Sequence, residues 1–417
     1  MRIGISTFGC DSGRSGVGQY LQQMLEQLAE LAPQHALHLM GAAPDLRTFE
    51  TPTATTHTVP AALTGAMANL AWHQGVLPVQ AVRHRLDMLF LPAANRRLPF
   101  WSPCPTVGTV HDLSPLRVPH KYDRLHQVWQ RHFLPVLVRR LSHVITVSES
   151  SRNDIVELAG VAPSRVTVIP NGVDTTRMQP LERSAALWLL RDLLPDDRPY
   201  LLYVSRVEHP GKNHIRLIEA FAHLRRDHQI PHRLVLAGPL CERADTVLAA
   251  ARASTANAHI LFTGFVADED LRPLYAGADV LVYPSLYEGF GIPVIEAMAC
   301  GTPVACARAS SLPEVGGDAA LYFDPLDVRD MAATVARLLR DTSLRRALAE
   351  AGRVRSLRFS WRESGRRLLE VLENVARPSR GGVEAPQELP GETGNPSHPC
   401  PSSESPRHRT MRPPPRA

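Results

Sequence analysis

The sequence predicts an α/β protein of two doubly wound, Rossmann-like domains, and three observations carry that prediction. Short β-rich runs alternate with helical patterns from Met1 to about Ala376, the signature of strand–helix–strand units. The strand runs are nearly continuous apolar stretches rather than half-polar alternations, so both faces should be covered, as in parallel sheets. At 417 residues the chain is also long enough for two domains, each with its own core.

The elements follow in order. "RIGIST" reads as the first strand, and the start "MRIGISTFGC" turns polar too soon for an export signal. Gly13, Gly16 and Gly18 of "DSGRSGVGQYLQQMLEQL" form a glycine-rich turn that opens a helix. "ALHLM", "DMLFLP", "TVGTVH", "HVITVS" and "RVTVIP" complete the first set of strands. "IPNGVDTTRMQP" then holds Pro170, Asn171, Gly172 and Asp174 in a turn. A domain break there gives 1–176 and 177–360.

The second set reads "YLLYVS", "RLVLAG", "HILFTG", "DVLVYP", "TPVACA" and "ALYFD". Between strands, "LIEAFAHLRRD" and "MAATVARLLRDTSLRRALAEAG" repeat apolar residues at three and four, the helical period. Ser360 is placed to cap "SWRESGRRLLEVLENVA"; residues 361–377 are expected as a helix packing back towards the first domain. Residues 378–417 hold ten prolines in forty positions and almost no large apolar side chain, so that tail is expected to be disordered.

Composition excludes several classes. The chain is 44% hydrophobic and 21% charged, as in soluble globular proteins, and no run approaches the ~20 apolar residues that span a bilayer. The six cysteines are scattered, with no CxxC pair and no histidine at zinc spacing. Reduced thiols and a cytoplasmic setting are expected. The net charge of +5 is uneven: between Arg83 and Arg140, ten Arg or Lys face three Asp. Such a surface suits an anionic membrane face or a phosphorylated acceptor, although a solvated basic helix accounts for it equally well. Nucleic acid is not expected, since neither a binding motif nor aromatic–basic interleaving accompanies the charge.

The chemistry concentrates in "LVYPSLYEGFGIPVIEAMACG". A buried strand ends, Gly289 and Gly291 make a turn, and a helix starts near Pro293, where a missing N–H costs nothing. Ligands of open α/β sheets gather at the carboxyl ends of strands, and free helix-start N–H groups suit anionic oxygen. Glu288 precedes the turn and Glu296 lies about one turn into the helix. Carboxylates accept from hydroxyls, so a ligand with both phosphates and hydroxyls fits, namely a nucleotide sugar.

This segment resembles the E-x7-E motif of the retaining glycosyltransferases of family 4, which have the GT-B fold of two Rossmann-like domains facing across a cleft. The resemblance runs over most of residues 1–377. It implies that Glu288 lies near the transferred sugar, that Glu296 binds the ribose hydroxyls, and that the Gly289, Phe290 and Gly291 backbone reaches the sugar and diphosphate. In "YVSRVEHPGKNHIRLIEAF", Arg206 and Lys212 resemble the family's diphosphate-binding pair, with Asn213 an acceptable variant after the lysine; two cations there suit a leaving group whose charge grows as the sugar bond breaks. Gly16 and Gly18 would face the donor phosphates and the acceptor. His111 of "TVGTVHDLSPL" would position the sugar and support the transition state. Glu149 or Ser148 is a looser candidate, and the backbone near Val266 would meet the nucleotide base.

Asp268–Asp270 imitates the metal-binding DxD of another transferase fold but opens an evident helix, where acids favour the N-terminal dipole. No metal or other cofactor is therefore expected. The reaction implied is retaining transfer to a glycan or lipid-linked glycan hydroxyl in surface polysaccharide synthesis. The "EHPGKNHIRLIEAF" segment resembles mannosyltransferases, which favours GDP-mannose. The rivals are a nucleotide-sugar epimerase on the same fold and a non-catalytic sugar-nucleotide-binding protein. A glycogen-type phosphorylase would need a far longer chain, and a nicotinamide dehydrogenase an acid about twenty residues past the glycine turn, which "ALHLMGAAPD" lacks.

Overall fold

The computed structural model describes residues 1–118 and 131–377. The proline-rich tail, and Lys121 and Arg124 of the basic segment, lie outside the described residues. Met1–Arg377 form one compact unit built on two sheets.

Both sheets are parallel throughout; helices carry the chain back between successive strands of each sheet, except from β4 to β5, which residues 92–105 join without one. The first holds β1 (Arg2–Ser6), β2 (Ala36–Gly41), β3 (Ala54–Thr58), β4 (Met88–Leu91), β5 (Thr106–Thr109), β6 (His143–Thr146) and β7 (Val166–Val168). Their order is β3-β2-β1-β4-β5-β6-β7. The second holds β8 (Tyr200–Val204), β9 (Arg233–Ala237), β10 (Ile260–Gly264), β11 (Val280–Tyr283), β12 (Val304–Ala307) and β13 (Ala320–Phe323), ordered β10-β9-β8-β11-β12-β13. Central strands such as β4, β11 and β12 are buried at every residue, as their apolar runs require. Strand order reverses between β1 and β4 in the first sheet and between β8 and β11 in the second. A crevice opens at such a switch point. The strand the sequence did not reveal is β3, "ATTHT", a partly exposed edge strand with no apolar run to mark it.

Helix packing joins the halves. The Gly16–Leu31 helix buries Tyr20, Leu21, Met24, Leu25 and Leu28, a stripe at the helical period. The Trp361–Ala376 helix, with Ser360 Oγ accepting from the Glu363 amide, lays Trp361, Leu368 and Leu372 into the core that holds Tyr20 and Leu21. Gly365 permits this contact: a Cβ there would lie 2.3 Å from Gln27 Cβ. Where the chain crosses between sheets, the Val173 amide donates to the Phe359 carbonyl at 3.0 Å, tying the two crossings together. Among the described residues no helix is long and apolar enough to cross a membrane.

Candidate active site

β8 and β11 are neighbours, so the loops that follow them leave the second sheet side by side at its switch point. The first loop carries Arg206 and Lys212 and the second carries Glu288 to Gly291, segments far apart in sequence. Hydrogen bonds stitch them together. The Leu286 amide donates to the Gly211 carbonyl at 2.9 Å. Asn213 Nδ2 donates to the carbonyls of Pro284 at 3.0 Å and Pro325 at 2.7 Å. Asn213 sits at φ +59°, a left-handed conformation that asparagine tolerates better than most residues. Tyr203 Oη donates to the Lys212 carbonyl at 2.9 Å. On the other side, the Glu288 amide donates to Ser310 Oγ at 2.8 Å, and Ser311 Oγ donates towards the carbonyls of Glu288 and Phe290 at 3.0 and 2.8 Å.

The two catalytic candidates Lys212 and Glu288 meet directly. Lys212 Nζ donates to Glu288 Oε1 at 2.6 Å, with side chains only 16% and 12% exposed. Tyr283 Oη donates to the same oxygen at 3.1 Å. Burial, foremost, and the Glu288 charge push the Tyr283 phenol well above its ordinary pKa, so it stays a donor. Arg206 forms an ion pair with Glu208 at 3.1 Å. The sequence reading assigned both cations to a diphosphate; in the structure each faces a carboxylate, Lys212 as a nearly buried charge that needs a partner and Arg206 as a side chain 45% exposed.

Glu296, one turn into the Ile292–Ala299 helix, is buried and accepts from Tyr275 Oη at 2.8 Å. Burial raises its pKa, against hydrogen bonds from Tyr275 and from Gln19 of the first domain and the nearby charge of Arg177. Gln19 follows Gly18, so the glycine turn after β1 is brought to this acid. Gly16 stands close to Ile292: a Cβ there would lie 3.7 Å from Ile292 Cδ1.

Two glycines owe their identity to packing. A Cβ on Gly18 would lie 2.4 Å from the Cys10 carbonyl oxygen and 2.6 Å from Gly13 Cα, so the loop closes on itself there. A Cβ on Gly289 would lie 2.4 Å from the His111 carbonyl oxygen. That close approach is between backbones of the two domains, a reason for glycine that the sequence reading did not include. Gly291, at φ +106°, starts the following helix in a conformation that suits glycine alone. Phe290 is buried and meets Phe359 edge to face at 5.5 Å.

His111 lies after β5, its ring edge-on to Tyr20 at 4.8 Å. Its Nε2 is 2.8 Å from the Pro92 carbonyl and donates to it, which leaves Nδ1 as the acceptor. Burial, foremost, lowers its pKa to about 4, so the imidazole is neutral at pH 7. Val266 is buried beyond β10, the edge strand separated from β8 by β9. Ser148 caps the Glu149–Ala159 helix by accepting from the Ser151 amide at 3.1 Å. The Glu149 amide donates to Glu314 of the second domain at 3.0 Å, so this looser candidate joins the domains. Asp268 pairs with Arg177 at 3.1 Å and opens the Asp268–Ala276 helix.

Sequence reasoning passed over Tyr283, Ser310, Ser311, Gln19, Ser151 and Glu314. Ser151 Oγ lies 3.0 Å from the His111 carbonyl and 3.4 Å from that of Gly289, and Tyr287 donates to Asp154 across the same junction. Apart from Tyr283, none carries a spacing signal, because each acts between segments that only the fold brings together. Tyr283 was accessible, as the last residue of a buried strand entering the motif.

Two family profiles tile this architecture: Glycosyltransferase Family 4 matches residues 14–177, and Glycosyl transferases group 1 matches residues 191–355. The chain belongs to the group 1, family 4 glycosyltransferases. The family 4 chain is 33% identical over 255 residues to O-antigen chain mannosyltransferase B of Escherichia coli, covering 61% of this chain and 66% of that one. It is also 33% identical over 243 residues to the MMP alpha-(1->4)-mannosyltransferase of Mycolicibacterium hassiacum, covering 57% and 56%. The chain thus spans between half and two thirds of the length of these curated relatives. Among solved structures, sucrose-phosphate synthase from Thermosynechococcus elongatus superposes with a TM-score of 0.74 at 19% identity, over 90% of this chain and 99% of that one. That likeness establishes the GT-B fold for the family 4 chain.

Proposed function

We propose that the chain is a retaining, metal-independent glycosyltransferase that moves a hexose, mannose from GDP-mannose foremost, to a hydroxyl of a glycan or lipid-linked glycan. The observation that carries this reading is the Lys212–Glu288 pair at the β8/β11 switch point, in which Glu288 is the first acid of the E-x7-E segment. The mannosyltransferase relatives support the choice of sugar, and the O-antigen relative supports a role in surface polysaccharide synthesis.

In this mechanism the diphosphate takes Lys212 from Glu288 and is also met by Arg206 and the amides at the start of the Ile292–Ala299 helix. Glu288, still held by Tyr283, turns its freed lone pairs to a sugar hydroxyl. Glu296 accepts from the ribose, and neutral His111 orients the sugar through Nδ1. The acceptor oxygen bonds to the anomeric carbon on the face the diphosphate leaves. The bond to the diphosphate breaks, and the acceptor's proton passes to a diphosphate oxygen. A retaining glycosidase instead sets two carboxylates ~5 Å apart, one as nucleophile; here Glu288 is given to a sugar hydroxyl and Glu296 to the ribose. The closed junction at Gly289 and His111 excludes water from the donor.

For the acceptor side, Phe100, Trp101, Phe133 and Val136 are exposed, and Arg140 lies 5.8 Å from the Phe100 ring centroid. Aromatic and basic groups together suit the inner, anionic face of a membrane, where the chain would act as a peripheral cytoplasmic enzyme. Purified chain should be stabilised by GDP-mannose above UDP-, ADP- and dTDP-sugars in a thermal-shift panel. It should transfer mannose in the presence of EDTA with an α-anomeric product by NMR. No stabilisation by any sugar nucleotide rejects the reading; donor turnover without acceptor makes the chain an epimerase or hydrolase instead.

A further inference from the structure

We propose that His38, His57 and His84 form a binding site for a first-row transition metal ion, zinc foremost, at the outer edge of the first sheet. The three come from separate elements. His38 lies on β2 and His57 on β3, where Met40 pairs with His57. His38 is two residues from Met40, so its side chain emerges on the same face as His57. His84 ends the Ala66–Arg83 helix as its C-cap. Spacings of 19 and 27 residues fit no local zinc motif, which is why the sequence did not reveal the cluster.

One ring nitrogen from each histidine lies within 4.8 Å of those from the other two. His38 Nδ1 and His57 Nε2 are 3.0 Å apart, with the rings stacked at 10°, and the His57 and His84 centroids are 4.1 Å apart. Two nitrogens bound to one tetrahedral zinc at about 2.0–2.1 Å stand about 3.4 Å apart. A metal could therefore replace the proton now shared between His38 and His57 with a shift of a few tenths of an ångström.

The third imidazole is already oriented. His84 Nε2 lies 2.9 Å from Gln80 Oε1 and donates to it, which fixes the tautomer and leaves Nδ1 as the ligand. An outer hydrogen bond of this kind accompanies most metal-bound histidines. Imidazole donors favour zinc, copper or nickel over calcium or magnesium. Arg2 on the next strand is the charge that opposes a cation here.

His38 is buried while His57 and His84 are partly exposed, so an ion has a path in and an open fourth position for water. The site is at the β3 edge, away from the β1/β4 switch point. Its role would be structural, clamping a weakly buried edge strand to β2 and to the end of a helix.

The test uses the untagged full chain, stripped with EDTA and titrated with zinc chloride or cobalt chloride alone. One ion per chain should bind, cobalt should show a visible d–d spectrum, and zinc should raise the melting temperature. His57→Asn and His84→Asn should each abolish these changes, with folding of the metal-free variants checked by circular dichroism. Gln80→Leu should weaken zinc binding about 10-fold, and His223→Asn, on a distant helix, should not. Absence of stoichiometric binding by wild type overturns the proposal. So does binding that survives both His57→Asn and His84→Asn, which would place the ion elsewhere.

Discussion

Lys212→Met separates the pairing of the lysine with Glu288 from its proposed role as ligand of the donor. At 2.6 Å the pair has a gross attraction of about 6 kcal/mol at an effective dielectric of 20, much of it offset by desolvation. Removing one partner of a buried pair costs about 3–5 kcal/mol. Because both side chains keep slight exposure and Tyr283 still donates to Glu288, the low end applies, about 3 kcal/mol for Lys212→Met. Glu288→Gln should cost a similar amount. Together they leave no charge unpaired, so the double variant should lose less than either single variant, not the additive sum of about 6 kcal/mol. Urea unfolding of the four proteins measures the coupling. Single-turnover transfer with saturating donor measures the second role, where loss of one charge-stabilising donor lowers the rate about 100- to 1000-fold. Stabilities that add within about 0.5 kcal/mol would show that the pair contributes no coupling. A Lys212→Met rate near wild type would refute the lysine's contact with the leaving diphosphate.

Further perturbations address other parts of the structure. Gly289→Ala sets a Cβ 2.4 Å from the His111 carbonyl oxygen, so overpacking should cost about 1–3 kcal/mol and lower transfer; an unchanged melt and rate would deny the close domain approach. Leu368→Ala empties a fully buried position where the C-terminal helix meets the first domain and should cost about 2–5 kcal/mol by urea unfolding. Glu296 has a folded pKa above its unfolded value, so the native state binds its proton more readily, and its contribution to stability falls as pH rises from about 4.5 through the raised value. Glu296→Gln should flatten that part of the stability–pH curve while lowering donor affinity; a curve identical to wild type contradicts the buried-acid assignment.

Much of the fold was legible because buried parallel strands are written as apolar runs. "DMLFLP" and "DVLVYP" declare β4 and β11 without ambiguity, and helices such as Trp361–Ala376 carry both a cap and a stripe. β3 was not legible, since Ala54–Thr58 is a partly exposed edge and its threonines and histidine imitate a loop. In the site, the residue types were readable from one segment at a time: an acid, a glycine turn and a helix start. The pairing of those types was not. That Lys212 meets Glu288 rather than open solvent depends on β8 and β11 being adjacent, a consequence of strand order. Gly289 shows the same limit, for a glycine looks alike in sequence whether a ligand or another backbone fills the space beside it.

The paired charges give a physical account of how such a site survives without its ligand. A lysine held bare at a nearly closed loop would bear a large desolvation cost, and the loop would open to hydrate it. Glu288 offsets that cost in the free protein, while Arg206, 45% exposed, pairs with Glu208 at little cost. These pairs also set a condition on what can bind. A neutral sugar offers Lys212 nothing better than its carboxylate, whereas a diphosphate offers more than one anionic oxygen and releases Glu288 to a hydroxyl at the same moment. Under the proposed function, binding of phosphate and recognition of sugar would be linked through one exchange. The linkage requires a ligand carrying both groups, and either group alone should bind more weakly than the sum of its contacts implies.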